Sequence, residues 1–328
     1  MINVAIVGVT SWGITLADLL VKKGFKVTIC ARNKEDIKRF KNKELKIFSN
    51  NIVNGFEKIN ITTEFIEDLK ISDIILIAVP SKSFRKNIQI IKQYLTGTSI
   101  IISVTKGLEI NTSMRMSQIL DDELEVDQYR GICALSGPNL AAEIINEIPS
   151  STVVASFNKE ITSEIKNIFS TEFFHVYTTS DVVGVELGGA LKNIIAIGAG
   201  ICHGLDYGNN TVATFITSGF NEMIKLGVSC GASEKTFIGF SGLGDLITTC
   251  SSKLSRNRYV GEQLAIGRDI FDIKESMSTV AEGIDTIFSV QKLTNSHGLD
   301  LPIINGIYKI IFNNEPANHV FKYLIDSI

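Results

Sequence analysis

The sequence contains no Cys-x-x-Cys pair, no cluster of histidines and no marked excess of charge of either sign. Its five cysteines (Cys30, Cys133, Cys202, Cys230 and Cys250) are scattered, four of them in apolar or helical stretches. They read as small buried hydrophobes and not as a metal or disulfide framework, which suits a reducing, cytoplasmic compartment. His175, His203, His297 and His319 are far apart in sequence, so no metal site is expected. A net charge of −3 excludes recruitment of nucleic acid or an anionic membrane by bulk electrostatics. No uninterrupted apolar run approaches the length that spans a bilayer. The opening residues, Met1-Ile2-Asn3-Val4-Ala5-Ile6-Val7-Gly8, lack a basic n-region and predict a buried strand, not a signal peptide. No internal repeat, low-complexity tract or linker rich in Pro, Gly or Ser interrupts the chain.

What is present is a pattern that changes midway. The length of 328 residues accommodates two domains, and 45% hydrophobic against 20% charged residues is ordinary for a globular chain. Short β-branched runs at 3–7, 26–30, 74–79, 99–104, 132–135 and 152–155 alternate with helical patterns such as 13–23 and 34–41. Nearly continuous apolar strands are covered on both faces, as in a parallel sheet. The stretch 44–63 is Asn-rich and irregular, with one short strand expected at 59–62. Beyond about Asp181 the periodicity is helical throughout. The expected fold class is α/β: an N-terminal doubly wound, Rossmann-type parallel sheet over 1–182, followed by an all-helical C-terminal domain over 183–328.

Gly8-Val9-Thr10-Ser11-Trp12-Gly13 follows the first strand and opens the first helix. Glycines there permit a tight turn, and the helix N-terminus faces a pyrophosphate. Gly8, Ser11, Trp12 and Gly13 are therefore candidate dinucleotide contacts. Thr10 replaces the middle glycine, and its side chain is expected to crowd a phosphate. The second strand ends Ile29-Cys30-Ala31-Arg32-Asn33, with no acid for the ribose hydroxyls of NAD. Arg32 can instead receive a 2′-phosphate, so NADP(H) is the expected preference, with NAD(H) as the alternative.

Between Glu186 and Asp206 the only formally charged side chain is Lys192, in Gly188-Gly189-Ala190-Leu191-Lys192-Asn193-Ile194-Ile195. Its helical neighbours are apolar or tiny, which implies a close backbone neighbour. An ammonium on such a face loses hydration and moves toward the range of proton transfer; the alternative is a lysine that snorkels out of a core helix. Val104-Thr105-Lys106-Gly107 and Ser136-Gly137-Pro138-Asn139 each follow a strand, where ligands bind in such sheets. In Ser241-Gly242-Leu243-Gly244-Asp245-Leu246-Ile247-Thr248-Thr249-Cys250, Asp245 and Thr249 share a helix face. Asp245 reads equally as a first-turn acid favoured by the helix dipole. Ser255-Arg256-Asn257 opens a helix and offers a hydroxyl, a guanidinium and N–H groups to an anion, or else a cap with a solvated arginine.

These segments resemble, in order and along nearly the whole chain, bacterial NAD(P)-dependent glycerol-3-phosphate dehydrogenase. The first turn is similar to that family's GxGSWGTALA, and GGALKN, GLGDL-TTC, SRN and Val280-Ala281-Glu282-Gly283 match closely. Thr10 and Asn139, where the family often has Ser or Thr, depart from it. The resemblance implies that Ser11, Trp12, Arg32, Lys106, Ala141, Arg256, Val280 and Glu282 contact the cofactor. It implies that Lys106, Gly137, Asn139, Asp245, Ser255, Arg256 and Asn257 surround a small phosphorylated substrate. Lys192 is the implied proton donor and acceptor, supported by Asn193 and Thr249, and a homodimer is the implied assembly. The implied reaction is reversible reduction of dihydroxyacetone phosphate to sn-glycerol 3-phosphate, supplying phospholipid synthesis, with Lys192, Lys106 and Asp245 as the catalytic set and no metal.

Overall fold

A computed structural model describes residues 2–45, 47, 55–277 and 281–327, with 326 and 327 described by backbone alone. The chain forms two compact units, Met1–Thr105 with Met116–Val182, and Lys106–Arg115 with Val183–Ile328.

The first unit is built on an eight-stranded sheet. Its strands are β1 (Asn3–Val7), β2 (Lys26–Cys30), β3 (Asn60–Thr62), β4 (Ile74–Ile77), β5 (Ile100–Ser103), β6 (Gly131–Ser136), β7 (Ser150–Ala155) and β8 (Phe174–Thr179). They lie in the order β3-β2-β1-β4-β5-β6-β7-β8, whose first six follow the 3-2-1-4-5-6 arrangement of dinucleotide-binding sheets. The apolar runs form strands because helices cover both faces: β4 and β5 are buried along their whole length. The sheet departs from expectation in two ways. β6 and β7 pair antiparallel, so it is mostly rather than wholly parallel. β8, not anticipated, alternates buried Phe174 and Val176 with exposed His175 and Tyr177, the pattern of a strand with one wet face. Within 44–63, residues 46 and 48–54 lie outside the described residues, and the expected short strand is β3.

The helical unit is centred on Val182–Gly204, 23 residues long. By length and composition that helix could cross a bilayer, but Glu186 and Lys192 interrupt its apolar run and 94% of its most apolar window is buried inside the protein. Small residues let other backbone approach it. A Cβ at Gly188 would lie 2.6 Å from the Ser241 carbonyl, and one at Gly200 would collide with the carbonyl of Arg258 on the helix Arg256–Ala265. The segment Lys106–Arg115 also belongs to this unit.

Candidate active site

In the sheet unit, β1 runs into the turn that opens the helix Ser11–Lys22. Gly8 sits at φ 111°, and a Cβ there would stand 2.6 Å from the Ala78 carbonyl, so only glycine fits. Thr10 takes a φ of −116°, which needs no glycine, and its hydroxyl turns into the protein, donating to Ala78 O at 3.0 Å and accepting from Gly13 N at 3.1 Å. It caps the helix. The N–H groups of Ser11 and Trp12 open the helix, where intrahelical partners are lacking. Trp12 Nε1 is buried without a hydrogen-bond partner among the described residues. Arg32 stands at the end of β2 with its side chain 84% exposed, 4.0 Å from Asp36. The glycine cradle, helix start and unused indole N–H fit a dinucleotide.

After β6, Gly137 lies against β7, where a Cβ would meet Thr152 Cα at 2.9 Å. Asn139 donates to Ser151 O at 3.1 Å and accepts from Thr152 Oγ1 at 2.9 Å, so its amide ties the turn to β7. Ala141 begins the next helix, Ala141–Ile145.

In the helical unit four predicted residues converge. Asp245 follows a π-helical turn, Phe240–Gly244, and begins the helix Asp245–Ser251. Its buried carboxylate accepts from two lysines: Lys192 Nζ at 2.9 Å on Oδ1, and Lys106 Nζ at 2.6 Å on Oδ2. Lys192 also donates to Thr249 Oγ1 at 2.6 Å, and that hydroxyl donates to the Asp245 carbonyl at 2.6 Å. Lys192 is therefore a buried, partnered lysine and not a snorkelling one. Burial pushes the Lys106 amine down to about 8; Asp245 opposes the shift and the neighbouring Lys192 adds to it. Two lysine side chains thus share the Asp245 carboxylate, which concentrates amine donors where an oxygen could become negative during reaction. Cys250, missed as a neighbour of this group, has its thiol pushed up to about 12 by burial and stays neutral.

A second cluster joins the residues next in sequence. Asn257 Nδ2 donates to Asn193 Oδ1 at 2.8 Å, and Asn257 Oδ1 accepts from Gly283 N at 3.0 Å. These amides fasten the Lys192 helix, the start of Arg256–Ala265 and the start of Glu282–Ser296 to one another. Ser255 accepts from Arg258 N at 3.2 Å and caps the helix. Arg256 is exposed at the start of its helix, with the Glu282 carboxylate as a charged neighbour. Val280 lies outside the described residues. Arg115 and Glu186, not anticipated, form an ion pair at 2.5 Å in the same unit.

Two family models match the chain. The N-terminal model of NAD-dependent glycerol-3-phosphate dehydrogenase covers residues 3–162 and its C-terminal model covers 181–322. A glycerol-3-phosphate dehydrogenase (NAD(P)+) of Dehalococcoides mccartyi is 40% identical over all of this chain and 91% of its own length. Its counterpart in Citrifermentans bemidjiense is 40% identical over 98% of this chain and 96% of its own. The crystal structure of glycerol-3-phosphate dehydrogenase from Coxiella burnetii superimposes with a TM-score of 0.92 at 30% identity, covering 98% of each chain. The chain belongs to the NAD-dependent glycerol-3-phosphate dehydrogenase family.

Proposed function

We propose that this protein is an oxidoreductase that reversibly reduces dihydroxyacetone phosphate to sn-glycerol 3-phosphate. The observation that carries this reading is the Lys106–Asp245–Lys192–Thr249 cluster. A bound reduced nicotinamide supplies the hydride that adds to the carbonyl carbon. As the carbonyl oxygen gains charge, Lys192 hydrogen-bonds it and gives it a proton, leaving a secondary alcohol; in the reverse direction the neutral amine takes the proton back. Lys106 adds a second positive charge beside that oxygen. Asp245 holds both amines and so sets where each Nζ points. Arg256, Ser255 and the N–H groups opening Arg256–Ala265 take the phosphate, which fixes the carbonyl for attack. Asn193 and Asn257 keep that segment in register with the Lys192 helix.

The exposed Arg32 guanidinium supports NADPH over NADH. Buried free thiols support a cytoplasmic setting, and the family resemblance implies a homodimer. The test is NADPH oxidation by the purified protein with dihydroxyacetone phosphate, with unphosphorylated dihydroxyacetone, and with NADH in place of NADPH. The phosphate ester with NADPH is expected to give the largest kcat/KM. Equal rates with dihydroxyacetone would defeat the substrate assignment, and a lower KM for NADH would defeat the cofactor preference.

A further inference from the structure

Lys106 opens a segment, Lys106–Arg115, that belongs to the helical unit although the chain on either side belongs to the sheet unit. Next to Lys106, Gly107 sits at φ 155°, a conformation open mainly to glycine, so local sterics do little to fix the lysine. Yet its ammonium stands 2.6 Å from Asp245. The restraint comes from further along. Leu108 is buried in the helical core. Ser113 Oγ donates to Ser289 O at 3.0 Å, and Ser289 Oγ donates back to Glu109 O at 3.1 Å. Lys292, three residues on from Ser289, donates to the carbonyls of Ile110 and Asn111, each at 3.3 Å. Arg115 closes the segment on Glu186 of the Lys192 helix, with side chains 16% and 5% exposed.

Two features show that these contacts specify position. Ser113 holds φ 60°, a left-handed conformation that a residue with a side chain keeps only when its surroundings impose it. A part-buried ion pair such as Arg115–Glu186 adds little net stability, which leaves holding position as its use here. We propose that Arg115, Glu186 and Ser289 are positioning residues that hold the segment so that Lys106 stays on Asp245 during the reduction. This rests on the function proposed above.

The test uses the full chain with NADPH and dihydroxyacetone phosphate. Glu186→Gln and Ser289→Ala are each measured alone and in combination with Lys106→Ala. Each single variant is expected to lower kcat by about 10- to 100-fold, the scale of a reacting group displaced by about 1 Å. The KM for NADPH should change little. The alkaline limb of kcat should move upward as Lys106 gains water, Asp245 and Lys192 being the charged groups that face it. Glu186→Asp, which keeps the charge, should recover part of the loss. In the Lys106→Ala background neither substitution should cost anything further. Losses of equal size with and without Lys106, or an alkaline limb that stays put, overturn the proposal. Should Glu186→Gln not fold, Ser289→Ala carries the same comparison, since it removes a single hydroxyl. Failure of the unsubstituted protein to oxidise NADPH with this substrate would instead defeat the underlying function.

Discussion

Replacing Asp245 by Asn removes a carboxylate that faces both lysines while keeping its shape. An amide can present its oxygen to only one of them, and its NH2 then turns toward the other. At 2.6 and 2.9 Å, and with an effective dielectric constant of about 20, each ammonium–carboxylate contact is worth roughly 6 kcal/mol before relaxation. Water entry and side-chain movement return most of that, leaving about 1.5 pKa units, or about 2 kcal/mol, at Lys106. The carboxylate raises the Lys106 pKa, so its loss moves that pKa downward, from about 8 toward roughly 6.5. At pH 7.5 the protonated fraction of Lys106 then falls from about three quarters to about one tenth, and at pH 8.5 the reduction is about 25-fold. The assay is the pH profile of kcat for reduction of dihydroxyacetone phosphate. Its alkaline limb should shift to lower pH by more than one unit, on top of a loss at all pH values from misaimed Lys192. An Asp245→Asn enzyme with the wild-type limb and plateau would refute the electrostatic reasoning.

Lys192→Ala is expected to bind NADPH normally, by fluorescence titration, while turnover drops by at least about a hundredfold, the scale of losing an acid–base group; near-normal turnover counts decisively against its role. Arg256→Ala should act mainly on the KM for dihydroxyacetone phosphate, and an unchanged KM sinks the phosphate assignment. Glu222, buried on Asn209–Ser229, has its carboxyl pushed up to about 7 by burial, against hydrogen bonds from Ile303 N and Ile304 N and the pull of Lys225, with Asp300 adding to the rise. The folded protein holds that proton more tightly than the unfolded chain, so this stability is present below about pH 4.5 and is lost as pH climbs to about 7, about 3 kcal/mol in all. Thermal melts at pH 5 and pH 8 should differ less in Glu222→Gln than in the wild type; identical differences argue against it.

What the sequence revealed follows the range of each interaction. β1, β2, β4 and β5 were legible because strands buried on both faces are continuously apolar. β8 was not, because His175 and Tyr177 dilute its pattern, and the antiparallel pairing of β6 with β7 leaves no mark on side-chain order. Helical spacing alone joins Asp245 to Thr249, and Lys106 stands out by its place after a strand. Arg115 and Glu186 lie 71 residues apart, and nothing local to either announces the other. Asn139 and Asn257 show a subtler limit: the amide type advertises hydrogen bonding, but only the fold shows that both side chains bond to protein neighbours.

The inward turn of Thr10 bears on what cofactor binding costs. A glycine at that place leaves the turn many conformations in the free enzyme, and a ligand that orders them loses the corresponding entropy from its affinity. Here a β-branched residue, bonded at both Ala78 O and Gly13 N, has already collapsed that freedom on folding. The ordering is therefore charged to the stability of the sheet unit and not to the dinucleotide, so the nucleotide turn of this enzyme meets its ligand pre-organised.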